Sequence, residues 1–136
     1  MDLDAARDFI RLNPRAVMTT RRASGDPQLS PVMVAVEDDG ALLVSSRETA
    51  YKVKNLRRDP RVSFCCLNEG FFGEWIQVDG QAEIVSLPAA MEMLVDYYRR
   101  LSGEHPDWDE YRAAMERERR VVVRVALQRA GPDRSG

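Results

Sequence analysis

Three clusters of turn-forming residues cut the first half of the chain into short apolar runs, and that punctuation constrains the fold more than any other feature. Ser24-Gly25-Asp26-Pro27, Glu37-Asp38-Asp39-Gly40 and Asn68-Glu69-Gly70 each combine glycine with side chains that hydrogen-bond nearby backbone. Between them lie residues 16–20, residues 29–36, the run ALLVSS and the run RVSFCCL. These runs are too short for ordinary helices and suit strands. A longer strand is expected over residues 71–85, bent near Asp79-Gly80, and VVVRVAL closes the series. Some six antiparallel strands joined by such turns predict a closed or split barrel.

Helical spacing interrupts the strands in four places. Residues 4–12 carry Ala5, Ala6, Phe9, Ile10 and Leu12 on a short helix that Asn13-Pro14 stops. Residues 49–58 form a basic helix, ended by Asp59-Pro60. Pro88 opens a third helix at its favoured first position; Met91, Leu94, Val95, Tyr98 and Leu101 form its stripe, and Gly103 ends it. Residues 107–119 form the fourth, with Trp108, Tyr111, Ala114 and Met115 on one side. The class is α+β. The length of 136 residues suits one domain, with its core over about residues 9–128 and a flexible tail over 129–136. A core this small gains from a second copy covering an exposed face.

Charge is concentrated between Ser45 and Phe64. Arg47, Lys52, Lys54, Arg57, Arg58 and Arg61 face only Glu48 and Asp59, a local charge of +4 in a chain whose net charge is -2. An acidic protein that gathers positive charge in one segment has a place for an anion. Ser45, Ser46 and Thr49 supply hydroxyls ahead of the lysines. Hydroxyls at a helix entry followed by Lys and Arg offer a phosphate N–H donors, a favourable dipole end and cations. The plainer alternative is a solvated basic helix face.

Other chemistries find little support. Cys65 and Cys66 are adjacent in a strand, so they point to opposite faces and read as small buried hydrophobes. His105 is the only histidine, and its Gly-Glu-His-Pro-Asp context suits a helix start. No nucleophile–base set and no metal-ligand spacing is present. Negative net charge and a short basic patch argue against nucleic acid. No apolar run approaches a membrane span, and the acidic amphipathic start lacks a signal core, so a cytoplasmic protein is expected.

The residues also carry a family resemblance. The pattern S-x-x-x-x-x-K-x-x-N-L-R-R-D-P-R, Ser46 to Arg61, resembles the signature of the pyridoxamine 5'-phosphate oxidase-like superfamily. More narrowly it is similar to the actinobacterial branch that uses the deazaflavin coenzyme F420. GDPQLSPVMVAV (25–36), WIQVDGQAEIV (75–85) and LSGEHPDWDEYRAAMERERRVVVRV (101–125) resemble further segments of that branch, in the same order.

The resemblance implies a split β-barrel homodimer with two cofactor sites at the subunit interface. It implies that Lys52 binds the cofactor's phosphate, with Ser46 and Thr49 as hydroxyl donors, Ser45 and Arg47 flanking and Arg57 nearby. Gln28, Ser30 and Pro31 would pass beside the ring, and Trp75 and Ile76 would come from the partner subunit. The chain departs from the branch at Ala50, often Arg in close deazaflavin binders, at Pro31, Asn in some relatives, and in its closing VALQRAGPDRSG. The implied activity is hydride transfer between reduced coenzyme F420 and a small unsaturated organic substrate. An FMN-binding oxidase or flavin reductase and a non-catalytic cofactor carrier are the alternatives.

Overall fold

A computed structural model describes residues 1–133. Its strands are β1 (Arg15–Arg21), β2 (Pro27–Met33), β3 (Ala35–Val36), β4 (Leu42–Arg47), β5 (Arg61–Leu67), β6 (Trp75–Val85) and β7 (Arg120–Asp133). They form one antiparallel sheet in the order β2-β1-β5-β6-β7-β4-β3. The helices are α1 (Leu3–Leu12), α2 (Tyr51–Arg58), α3 (Met91–Ser102) and α4 (Trp108–Arg117). No helix among the described residues is long and apolar enough to cross a membrane.

β3 follows β2 after a single residue, Val34, yet the two strands stand at opposite ends of the order. β2 runs beside β1 from Arg21↔Pro27 to Arg15↔Met33. β3 runs beside β4, pairing Ala35 with Leu43 and Val36 with Leu42. The chain thus joins both edges of the sheet and curls it into a barrel. At the switch, the Val34 N–H donates to Pro14 O at 2.8 Å, and its side chain is buried. β4 continues to Arg47 beside β7, but after Leu43 it has lost β3. The barrel is therefore split between β2 and the second half of β4. The expected single strand over 29–36 is two strands, because each half is claimed by a different partner.

Two apolar clusters hold the layers together. The barrel interior contains Ala16, Met18, Val44, Phe64, Cys66, Ile76, Val78 and Val123, closed at one end by Ala6 and Ile10 of α1. A second cluster joins Leu43 and Val122 to Ala90, Leu94, Val95, Tyr111 and Met115. Leu42 and Val44 face the barrel while Leu43 faces α3 and α4. Both faces of β4 and β7 are thus buried, which is why ALLV and VVV show no polar alternation. The Tyr111 hydroxyl donates to Leu94 O at 2.8 Å and ties α4 to α3; burial pushes this phenol up to about 12. Cys66 lies in the barrel core, its thiol pushed up to about 12 by burial, and Cys65 points the other way, half-buried.

Local chemistry sets the helix limits. Asp2 caps α1, accepting from the Ala5 N–H at 2.7 Å, and Asp107 caps α4, accepting from the Glu110 N–H at 3.1 Å. His105 Nδ1 accepts from the Asp107 N–H at 2.9 Å, so the histidine belongs to the same helix start. α2 begins at Tyr51, with Ala50 as an N-cap that has no side-chain cap bond. Thr49 stays outside it, exposed in the preceding turn. α3 begins at Met91, so Pro88 lies in the turn before it and not in its first position. β6 begins at Trp75; Phe71, at φ 70, still belongs to the turn.

Residues 129–133 are not a flexible tail. They complete β7, because β6 is long enough to pair Val78 with Ala130, Asp79 with Arg129 and Ile76 with Asp133. The rest of that expected tail, residues 134–136, lies outside the described residues.

A polar link crosses the largely apolar interior. Buried Asn55 of α2 donates through Nδ2 to Thr20 Oγ1 at 3.1 Å, and Thr20 Oγ1 donates to Gln28 Oε1 at 3.2 Å. Asn55 Oδ1 accepts from Arg58 at 3.1 Å. The basic helix is thereby fixed to both β1 and β2.

Asn55→Leu is expected to cost about 1–3 kcal/mol, because Thr20 loses its buried donor. Urea unfolding should show a lower midpoint at unchanged slope; an unchanged midpoint would contradict the link. Gly80 sits at a register shift, where an added Cβ would lie 2.4 Å from Ala126 O and 2.7 Å from Val125 Cγ1. Gly80→Ala should therefore destabilise by about 1–3 kcal/mol through overpacking, and thermal unfolding at the wild-type temperature would refute that.

Candidate functional site

The split leaves two strand edges facing each other without a ladder between them. β2 offers its edge away from β1, and β4 offers Val44 to Arg47. Unpaired backbone N–H and C=O groups need another partner. Tyr97 of α3 meets one of them: its hydroxyl donates to Met33 O at 2.9 Å. Burial raises the Tyr97 phenol, against the smaller effects of the Ser45 backbone and Arg120. Tyr97 therefore lies where β2, β4 and the start of β7 come together.

Gln28 and Ser30 lie on the inner face of β2, opposite Thr20 and Met18 of β1. Gln28 is held by Thr20 and by its own bond to Leu29 O at 3.0 Å. Ser30 Oγ is sealed from solvent and has no hydrogen-bond partner. A buried hydroxyl without a partner is costly and marks a place where another group belongs. Pro31 lies on the opposite face, exposed.

Along β4 the hydroxyls diverge. Ser46 is buried on the barrel side with Val44, while Ser45 shares the other face with Leu43 and Arg47. Arg47 pairs in register with Arg120, the first residue of β7. Both guanidiniums converge on one carboxylate oxygen: Glu118 Oε1 accepts from Arg47 at 3.1 Å and from Arg120 Nε and Nη2 at 3.0 and 2.8 Å.

The basic segment is largely neutralised within the chain. Arg47 pairs with Glu118, Arg61 with Asp59, and Arg57 with Glu48. Arg57 also donates to Ser86 Oγ at 3.2 Å, so it clamps α2 to the connection after β6 and is not free for a ligand. Arg58 donates to Arg21 O and to Asn55. Lys54 lies over the Tyr51 ring, 5.9 Å from its centroid. Lys52 is different. It is half-buried, and among the described residues it has no carboxylate partner. Burial holds its amine below the usual lysine range, and the nearby Arg120 charge pushes the same way.

The structure thus groups Lys52, Arg47 and Ser45 and adds Arg120 and Tyr97, which the sequence reading missed. Arg120 abuts a strand run, and Tyr97 falls beside the apolar stripe of α3 rather than in it. Trp75 and Ile76 take opposite faces of β6. Ile76 is in the barrel core, and half-buried Trp75 is on the outer face, paired with Leu67. That outer face also carries Val17, Leu29, Pro31 and Met33. A cavity of about 440 Å³ lies along it, lined by Val17, Pro31, Met33 and Leu67 among others.

Comparison with solved structures gives the same architecture. A conserved hypothetical protein, Rv2991, from Mycobacterium tuberculosis is 28% identical with a TM-score of 0.78, covering 96% of this chain and 82% of that one. An F420 reductase is 18% identical with a TM-score of 0.71, covering 92% and 94%. An FAD-binding protein from Mesorhizobium loti is 21% identical with a TM-score of 0.70, covering 100% and 96%. The last two likenesses are of fold. At the level of sequence, the family model for pyridoxamine 5'-phosphate oxidase matches residues 3–131. With that match spanning nearly the whole of a split barrel, this chain belongs to the pyridoxamine 5'-phosphate oxidase family.

Proposed function

We propose that the protein is an oxidoreductase dependent on the deazaflavin coenzyme F420, moving a hydride between the reduced cofactor and a small unsaturated organic substrate. Lys52 carries the reading: a half-buried ammonium with no carboxylate, beside Arg120, next to an open split. A phosphate is the partner this arrangement lacks. The orphaned Ser30 hydroxyl and the unpaired edges of β2 and β4 fit a ring system with polar edges.

When bound, a deazaflavin supplies a hydride at ring carbon C5. The chain's residues bind and orient. Lys52, Arg47, Arg120 and Ser45 hold the phosphate, and Gln28, Ser30 and the backbone up to Pro31 run beside the ring. A single histidine in the chain suits the reading, since a cofactor carries the redox chemistry and the protein need only position it. Proximity of this kind lowers a barrier by several kcal/mol, up to about 7–11.

The active form is a homodimer. Among the described residues, Val17, Leu29, Met33, Leu67 and Trp75 on the outer sheet face belong to neither apolar cluster, unlike the face of β4 and β7 covered by α3 and α4. Leu29 is 58% exposed there, and Phe71 and Phe72 at the nearby turn are 62% and 86% exposed, more apolar surface than a monomer of this size gains from showing. A second copy on that face brings the partner subunit's Trp75 to the cofactor. Ile76 stays in its own core and contributes through backbone alone.

Titration with coenzyme F420 and, in parallel, FMN, followed by ligand fluorescence, should show tighter deazaflavin binding. Preference for FMN would move the protein to the flavin-binding members of its family. Lys52→Ala should weaken cofactor binding roughly tenfold or more, as expected for loss of a charge-assisted phosphate contact. Unchanged affinity would remove the phosphate assignment. Light scattering at micromolar concentration should give twice the chain mass of 15.5 kDa, and Val17→Asp should halve it. A wild-type monomer would end the shared-site reading.

A further inference from the structure

The cationic corner contains one carboxylate that the family signature does not explain. Glu118 caps the end of α4, two residues before β7, and its side chain is one-third exposed. Its Oε1 alone takes three N–H donors from two guanidiniums, at 2.8 to 3.1 Å. That is how a phosphate oxygen sits between paired arginines. Arg47 and Arg120 have no other carboxylate among the described residues. Lys52, beside Arg120, has none. One tethered negative charge therefore stands against three positive ones.

We propose that Glu118 is a built-in counter-anion of the phosphate site, which occupies the donors of Arg47 and Arg120 in the empty protein and is displaced by the phosphate of an incoming cofactor. The inference rests on the phosphate reading of Lys52, Arg47 and Arg120. Its physical basis is competition. A carboxylate on a short tether competes with any anion that enters, and a phosphate group can displace it because it brings several oxygens to both guanidiniums and to Lys52. A single oxygen occupies the donors, so the complex loses little when phosphate oxygens replace it. The position of Glu118, at a helix end and partly in solvent, lets the side chain swing out without disturbing the sheet. The Glu48 N–H donates to Arg119 O at 2.9 Å and ties the turn between Glu118 and β7 to the end of β4.

The test compares Glu118→Gln and Lys52→Ala with wild type, using coenzyme F420 and FMN, each against the same ring compound lacking its phosphate. Glu118→Gln keeps a hydrogen-bond acceptor and removes the competing charge. It should bind the phosphate-bearing ligands about two- to fivefold more tightly, the worth of the exposed ion pairs that no longer have to break, with phosphate-free ligands unaffected. A residue that merely braced the two arginines would weaken the phosphate-bearing ligands when changed. Unchanged or weaker binding by Glu118→Gln, with affinity lost in Lys52→Ala, overturns the counter-anion and leaves the phosphate site standing. Unchanged binding by Lys52→Ala, or no binding of either cofactor by wild type, overturns both.

Discussion

One residue, Val34, decides both how the barrel closes and where it opens. On its N-terminal side the strand belongs to β1, and on its C-terminal side the same extended chain belongs to β4. Each strand edge carries a row of hydrogen-bonding groups, so a change of partner leaves the two former neighbours with edges unmet. The split is not a defect in packing: Val34 itself is buried and its N–H is satisfied by Pro14. Everything proposed for the site depends on this divergence. Tyr97 fills its apex, Ser30 lines one wall, and Ser45 and Arg47 lie along the other.

The charges are sorted by the same geometry. Lys52 and Arg57 are five residues apart on α2, which places them about 140° apart around the helix axis. One side of the helix therefore clamps onto Glu48 and Ser86, while another presents an unpaired ammonium. A basic run in sequence overstates the basic site in space. Of the segment's six cations, three are paired with carboxylates and Arg58 is committed to a backbone carbonyl and Asn55. What makes the corner cationic is the addition of Arg120, brought in by the register of β7 against β4.

Much of this was legible in the sequence, and the rest fails for identifiable reasons. Turn chemistry located β1, β4 and β5 because glycine and Asx-type residues mark where a ladder stops. The break at Val34 left no such mark, since Met33, Val34 and Ala35 are as apolar as any strand interior. Residues 129–133 looked frayed because Gly131-Pro132 and the polar residues around them disfavour a strand. Only the length of β6 beside them overrides that preference. Lys52, which the structure leaves half-buried without a carboxylate partner among the described residues, was singled out by the family resemblance. Arg120 was not, because seventy-odd residues separate it from Arg47 and no periodicity links them. Asn55 stands in the sequence only as part of the basic segment's motif; its role in tying α2 to β1 and β2 appears once Thr20 and Gln28 stand opposite each other.

The titratable groups around the split separate binding from chemistry. The Tyr97 and Tyr111 phenols are both raised by burial and stay neutral. Lys52 is the group whose charge is disfavoured, first by burial and then by Arg120. The part due to the neighbouring Arg120 charge is repulsion. A phosphate placed there would relieve that repulsion and add its own attraction. Glu118 offsets some of that repulsion by holding Arg47 and Arg120, but it does not pair with Lys52. Under the proposed reading, the corner would favour an anion with more acceptor oxygens than one carboxylate can bring, which is what distinguishes a phosphate-bearing ring from its phosphate-free counterpart.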